Sequence, residues 1–252
     1  MITVTESQLL GWITPLLWPF LRSLALLGAM PLLGTRTVPM RVRIGLAALI
    51  AVALQASLPP MPAVALDSMA AFMLVLQQLL VGLSLGFAVR LVFVSIELAG
   101  EIVGLQMGLN FAGFFDPVTA AQTTASSRFF GAVVGWLFVV INGHLLVIAA
   151  LAASFNAFPV GDQPFAFLVQ ARPQQWGATI FATGLAIALP MVAMLLFVNL
   201  VLGVISRVAP QINVFAVGFP LTLGVGLLGM LLTLPLLQQP FTVALERMLA
   251  FF

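Results

Sequence analysis

Cysteine, lysine and tyrosine are absent from this 252-residue chain, histidine occurs once, and charged residues make up only 6%. Without Cys there is neither a disulfide framework nor a thiolate metal site. An ordinary soluble domain carries roughly 25% charged residues. With 62% apolar residues and a mean hydropathy of +1.21, a core of this size cannot hide its apolar surface from water, so lipid or partner subunits must cover it. The sequence pI near 11.1 reflects nine Arg against seven acids with almost nothing titrating between His and Arg. A net charge of +2 spread along the chain is no nucleic-acid footprint. Nucleophilic triads and phosphate-cradling loops are also missing.

What the chain has instead is length without charge. Five stretches, 44–66, 68–89, 129–161, 173–206 and 208–245, run 22 to 38 residues without Asp, Glu, Lys or Arg. A bilayer's hydrocarbon core takes about 20 apolar helical residues to cross. These runs do not alternate as barrel strands would, and in lipid every backbone polar group must be paired, so the expected class is all-α integral membrane. Met1 to Gln8 lacks the basic start of a secretory leader, and the first apolar segment reads as a retained helix.

Seven segments are expected: about 9–33, 44–58, 68–89, 90–111, 129–155, 176–205 and 216–237. Pro15, Pro19, Arg22 and Pro31 make the first a poor uniform helix. Pro59, Pro60 and Pro62 make a stiff turn after the second. Arg36, Arg41 and Arg43 in the loop after segment one favour a cytoplasmic position for that loop and an outside N-terminus.

At 100° per residue, Arg90, Glu97, Glu101, Gly104 and Gly108 fall within about 60° of one another on one helix face, with Gly100 at its edge. A charge at the bilayer centre costs about 2.5–3.5 kcal/mol, so this face is expected to be buried against protein or to line a wet cavity. Gly100, Gly104 and Gly108 form small-residue steps that let backbones approach. Three readings stay open for the carboxylates: a helix seam, an aqueous or proton-sensitive path, and a catalytic pair. His144, after Asn142-Gly143, reads as a packed or interfacial residue, a proton shuttle or a metal ligand. Gly82 to Gly86 is a further, weakly specific small-residue step.

Two breaks carry more identity. The first is Gly104-Leu105-Gln106-Met107-Gly108, continuing through Asn110 and Phe111 to Gly113-Phe114-Phe115-Asp116-Pro117. The second is Arg207-Val208-Ala209-Pro210-Gln211-Ile212-Asn213, continuing to Gly218-Phe219-Pro220. Irregular backbone at membrane depth is tolerated only where protein or a wet cavity covers it. Phe111, Phe114 and Phe115 beside Met107 suit either ordinary packing or a compliant apolar constriction.

These two motifs closely resemble the FliR family of flagellar export-gate proteins, related to the SctT-type components of virulence type III secretion. Val38-Pro39 with Arg41-Val42, Ala99-Gly100-Glu101-Ile102 and Asn142-Gly143-His144-Leu145 support the match. The resemblance implies a non-enzymatic subunit without cofactors in the bacterial inner membrane, at the flagellar basal body. It implies tilted, broken helical hairpins, a FliP-like part over about 1–172 and a FliQ-like part over 173–252, and an obligate helical assembly. Its partners are FliP, FliQ, FlhB and FlhA type proteins and unfolded flagellar polypeptides. Carried onto this chain, Gln106, Met107, Phe111, Phe114 and Phe115 become the candidates for the channel constriction. Asp116 and Pro117, and Arg207, Pro210, Gln211, Asn213, Gly218, Phe219 and Pro220, become structural motif residues. Glu101 belongs to the matching pattern and Glu97 does not. Rival readings are a small-solute secondary transporter, a virulence-type homologue, and an intramembrane metalloenzyme using Glu97 and Glu101.

Overall fold

The computed structural model describes residues 6–65, 67–109, 124–161, 165, 167, 176–211 and 213–252, and every regular element among them is helical. In chain order these are α1 (Glu6–Ala29), α2 (Met40–Leu54), a 3-10 turn (Gln55–Ser57), α3 (Met69–Gln106), α4 (Ala125–Val140) and α5 (Gly143–Ala157). There follow α6 (Trp176–Val208), α7 (Val214–Thr233), a second 3-10 turn (Leu234–Leu237) and α8 (Gln238–Leu249). Among the described residues, four helical stretches are long and apolar enough to cross a membrane: Met40–Ser57, Met69–Gln106, Trp176–Val208 and Ala216–Leu249. Counting α4 and α5 as one broken span gives a fifth.

Two expected boundaries are corrected. Segments three and four are a single 38-residue helix, α3, running through Arg90. Charge does not stop a helix, and α3 contains no Pro. It ends at Gln106, two residues before Gly108, whose φ of 78° is the left-handed geometry that closes helices. The first segment is corrected as well: Pro15 and Pro19 lie inside α1, a single 24-residue helix. Segment five, by contrast, is two helices. Asn142 sits at φ 57°, ψ 33° between them, and Asn is among the few residues that enter this region at modest cost. Its carbonyl then accepts from Leu145 N–H at 2.8 Å to start α5.

The chain divides into two compact units, each discontinuous: Met1–Leu91, Asn142–Trp176 and Leu245–Phe252 make the first; Val92–Ile141 and Gly177–Ala244 make the second.

In the first unit Trp18 is fully buried with Ala71 and Leu74, and the stiff proline turn folds over them through Met61 and Val64. Trp18 Nε1 donates to Pro62 O at 3.3 Å, so the indole's polar atom is satisfied within an apolar cluster. The Gly82–Gly86 step has a definite task here. A Cβ on Gly82 would strike the backbone carbonyl of Arg22, and one on Gly86 would lie 2.6 Å from Ala29 Cβ. The two glycines thus let the α1 and α3 backbones touch. Phe158, Phe167, Phe252 and Trp176 form a ring cluster, with Phe158–Phe167 edge-on at 4.9 Å and Phe167–Phe252 stacked at 5.6 Å. The second unit is centred on Phe93, which meets Phe138 at 5.6 Å and Phe241 at 5.8 Å, both edge-on.

Candidate functional site

Within the second unit, α4 buries Ser126, Phe130, Val134 and Phe138 at four-residue spacing, one stripe of one helical face. Thr124 caps the helix by accepting from Ser127 N–H at 3.2 Å. The stripe meets the C-terminal part of α3. A Cβ on Gly100 would lie 2.7 Å from the Phe130 ring, and one on Gly131 would lie 3.0 Å from Glu97 Oε1. Ser127 Oγ donates to the Glu97 carbonyl at 3.1 Å. Gly100 and Gly104 are buried, and Glu97 and Glu101 are half-buried. Arg90 departs from the expected buried stripe: it is exposed, and it belongs to the first unit's part of α3. Gly108 lies beyond the helix altogether, in the left-handed turn.

At the end of α3, Gln106 is half-buried and Met107 is fully buried. Met107 fills the space above Gly226 of α7: a Cβ there would lie 2.7 Å from both Met107 Cε and Sδ. The same unit holds an apolar cleft of about 480 Å³, lined by Leu109, Ala125, Phe129, Leu223, Leu227 and Met230 among others. Leu109 and Ala125 flank, in sequence, the segment that carries Phe111, Phe114, Phe115, Asp116 and Pro117. Those five residues lie outside the described residues.

The second motif joins α6 to α7. Arg207 is exposed in the last turn of α6, where a cation complements the helix dipole. Ala209 N–H donates to Ile205 O at 2.8 Å, and Pro210 and Gln211 follow at the surface. Asn213 then starts α7. Its carbonyl accepts from Ala216 and Val217 N–H at 3.0 and 3.1 Å, and its side-chain Oδ1 accepts from Ala216 N–H at 3.3 Å. Gly218 is buried, while Phe219 and Pro220 are exposed. Pro220 donates no N–H to the helix, and Thr222 Oγ donates to Gly218 O at 3.1 Å just beyond it. His144 is exposed in the first turn of α5. Among the described residues no group of three or more His, Asp or Glu is placed to hold a metal.

The first unit holds a polar centre that spacing along the chain does not reveal. Arg22, which reads in the sequence only as a flaw in segment one, is fully buried. Its Nε donates to Gln78 Oε1 at 2.8 Å, Nη1 to Ser154 Oγ at 2.9 Å and Nη2 to the Phe158 carbonyl at 2.9 Å. The guanidinium also lies over the Phe155 ring. Gln77 extends the network by donating to Pro159 O at 3.0 Å and accepting from Gln78 Nε2 at 3.1 Å. These hydrogen-bond partners are neutral, so the cation is held by dipoles rather than a carboxylate. The paired Gln77-Gln78 within an otherwise apolar run is the one signal of it in the sequence.

Residues 13–248 match the family described as "Bacterial export proteins, family 1". Curated relatives cover nearly the whole chain. The flagellar biosynthetic protein FliR of Escherichia coli (strain K12) is 42% identical over 244 residues, covering 96% of this chain and 92% of its own length. The FliR of Bacillus subtilis (strain 168) is 30% identical over 240 residues, with 91% of each chain covered. That of Aquifex aeolicus (strain VF5) is 34% identical over 223 residues, covering 88% of this chain and 86% of its own.

Proposed function

The chain belongs to the bacterial export proteins of family 1, the FliR family, and from that premise we propose how it works as a subunit of the flagellar type III export gate. It is an integral protein of the bacterial inner membrane, all-α with several membrane-spanning helices, and it is not an enzyme. The observation that carries this reading is the 42% identity sustained over 244 residues and 92% of a flagellar FliR.

In the finer reading, the chain joins FliP-like and FliQ-like subunits in a helical assembly at the flagellar basal body, with FlhB-like and FlhA-like proteins docking on it. Residues 1–172 act as the FliP-like part and 173–252 as the FliQ-like part, and tilted, broken hairpins surround a path for unfolded flagellar polypeptides. Gln106, Phe111, Phe114 and Phe115 line the constriction that keeps the path shut to ions, and Met107, buried against Gly226, backs it. Two features support this. Phe181, Leu189, Phe197, Leu200, Leu231 and Leu232 are all at least half exposed, an apolar extent that suits an obligate complex. The α3 terminus is also built from a flexible Met, a left-handed Gly and an apolar cleft, a yielding arrangement beside the candidate constriction.

Isolation of the full chain in mild detergent from cells expressing the whole export apparatus tests the assembly. Stoichiometric co-isolation of FliP-like and FliQ-like chains is expected. A solitary, folded, solute-binding monomer would overturn it.

A further inference from the structure

The turn between α1 and α2 carries an unbalanced positive charge. Between Glu6 and Asp67 the chain has four arginines and no acid. One of the four, Arg22, is buried in its own network; the other three, Arg36, Arg41 and Arg43, fall within eight residues. Arg36 and Arg41 are exposed and have no hydrogen-bond or ion-pair partner among the described residues. Arg43 shapes the turn. Its Nη2 donates to the carbonyls of Thr35 and Val38, while its Nε is buried without a partner among the described residues. The first turn of α2 has no acidic residue and no side-chain cap, so the positive end of its dipole is also unopposed.

Below this charge runs an apolar stripe. Arg41, Ile44, Gly45, Ala48, Leu49 and Val52 follow the helical spacing of one face and are all exposed. On another face Ala47 and Ala51 are buried where α2 packs on α1. The stripe from residue 41 to 52 is about 16 Å long at 1.5 Å per residue, close to the roughly 15 Å acyl depth of one bilayer leaflet. Below Arg41 it bears no hydrogen-bonding side chain. Leu49 and Val52 are 67% and 62% exposed, so nothing in this chain's described residues covers them.

We propose that this end of α2 binds an anionic phospholipid, with Arg36 and Arg41 gripping the phosphate of its headgroup and Ile44, Ala48, Leu49 and Val52 carrying an acyl chain. Arg43 is the positioning residue: by holding the Thr35 and Val38 carbonyls it fixes the turn that presents Arg36. A charge at one end and a leaflet-length apolar track below it is the polarity of a phospholipid. An acidic partner helix would place its charges along the contact, where α2 offers none.

The test is lipid retention by the full chain in its detergent-purified complex. The complex is equilibrated with mixed micelles of phosphatidylglycerol and phosphatidylcholine in equal amounts and read by native mass spectrometry. Each arginine near an anionic headgroup is expected to contribute about fivefold to the preference for phosphatidylglycerol. Arg36→Gln with Arg41→Gln should abolish that preference while the complex elutes unchanged, since neither side chain has a partner among the described residues of the chain. Leu49→Gln should weaken retention of long-chain phosphatidylglycerol and leave that of the dihexanoyl lipid unaltered. Equal retention of the two lipids by the unmodified complex, or an unchanged preference in the double variant, would overturn the assignment. So would a photo-crosslinker at position 41 that captures a protein chain instead of lipid.

Discussion

The guanidinium carbon of Arg22 stands 3.7 Å above the centre of the Phe155 ring, while its three nitrogens donate to Gln78, Ser154 and Phe158. A planar, delocalised cation can stack on a ring face and hydrogen-bond at its edge at the same time, which an ammonium cannot. The arrangement ties α1 and α3 to α5 and the residue that follows it. Arg22→Ala should destabilise the chain by about 2–5 kcal/mol, through lost packing and unsatisfied partners. Arg22→Lys should recover only part of this. Ser154→Ala should cost about 1.5–3 kcal/mol, as for a hydrogen bond to a charged group, and its effect should largely vanish on an Arg22→Ala background. Thermal denaturation of the purified complex, run as a double-mutant cycle, measures all of these.

Gly82 and Gly203 make a matched pair for testing close approach. Both are helical, but a Cβ on Gly82 meets the Arg22 carbonyl whereas one on Gly203 meets nothing within 4 Å. Backbone cannot swing aside as a flexible side chain can. Gly82→Ala should therefore destabilise by about 1–3 kcal/mol, the range for overpacking. Gly203→Ala should be neutral or stabilising by up to about 1 kcal/mol from the gain in helix propensity. Resistance to proteolysis, compared at equal expression, ranks the two.

Met107 over Gly226 predicts a rescue. Gly226→Ala collides with the Met107 side chain, and Met107→Ala empties the same space at a cost of about 2–5 kcal/mol. The two volume errors compensate, so the double variant should be more stable than the sum of the singles allows. A strictly additive melting shift would show that the two side chains do not share that space.

For the constriction, replacing Phe114 and Phe115 with Gly in the assembled gate should let small ions leak, because an apolar seal depends on the bulk that excludes water. Met107→Gly should leak less, since Met107 is wholly buried against α7. Conductance of the reconstituted complex, or growth under ionic stress, reports both. An unaltered baseline in the double Phe variant would remove these residues from the seal.

Much of this protein is legible in its amino-acid sequence. The charge-free runs announce spanning helices, and the two broken motifs point to the family. The points where sequence and structure part have physical causes. Arg90 resembles a segment boundary, yet hydrogen bonding along α3 is indifferent to side-chain charge. Asn142 reads as an interior residue of one long segment and instead sits in left-handed geometry between two helices. Arg22 resembles a defect because its partners, Gln78, Ser154 and Phe158, lie 56, 132 and 136 residues away.

Composition and periodicity by themselves determined that the chain is helical and that lipid or partners must cover it, because backbone pairing in an apolar medium is satisfied locally. Only the tertiary structure decided which glycines are contacts, which arginine is buried and which are exposed, and what Met107 fills. Those outcomes depend on which distant atoms occupy a neighbouring volume, and spacing along the chain carries no record of that.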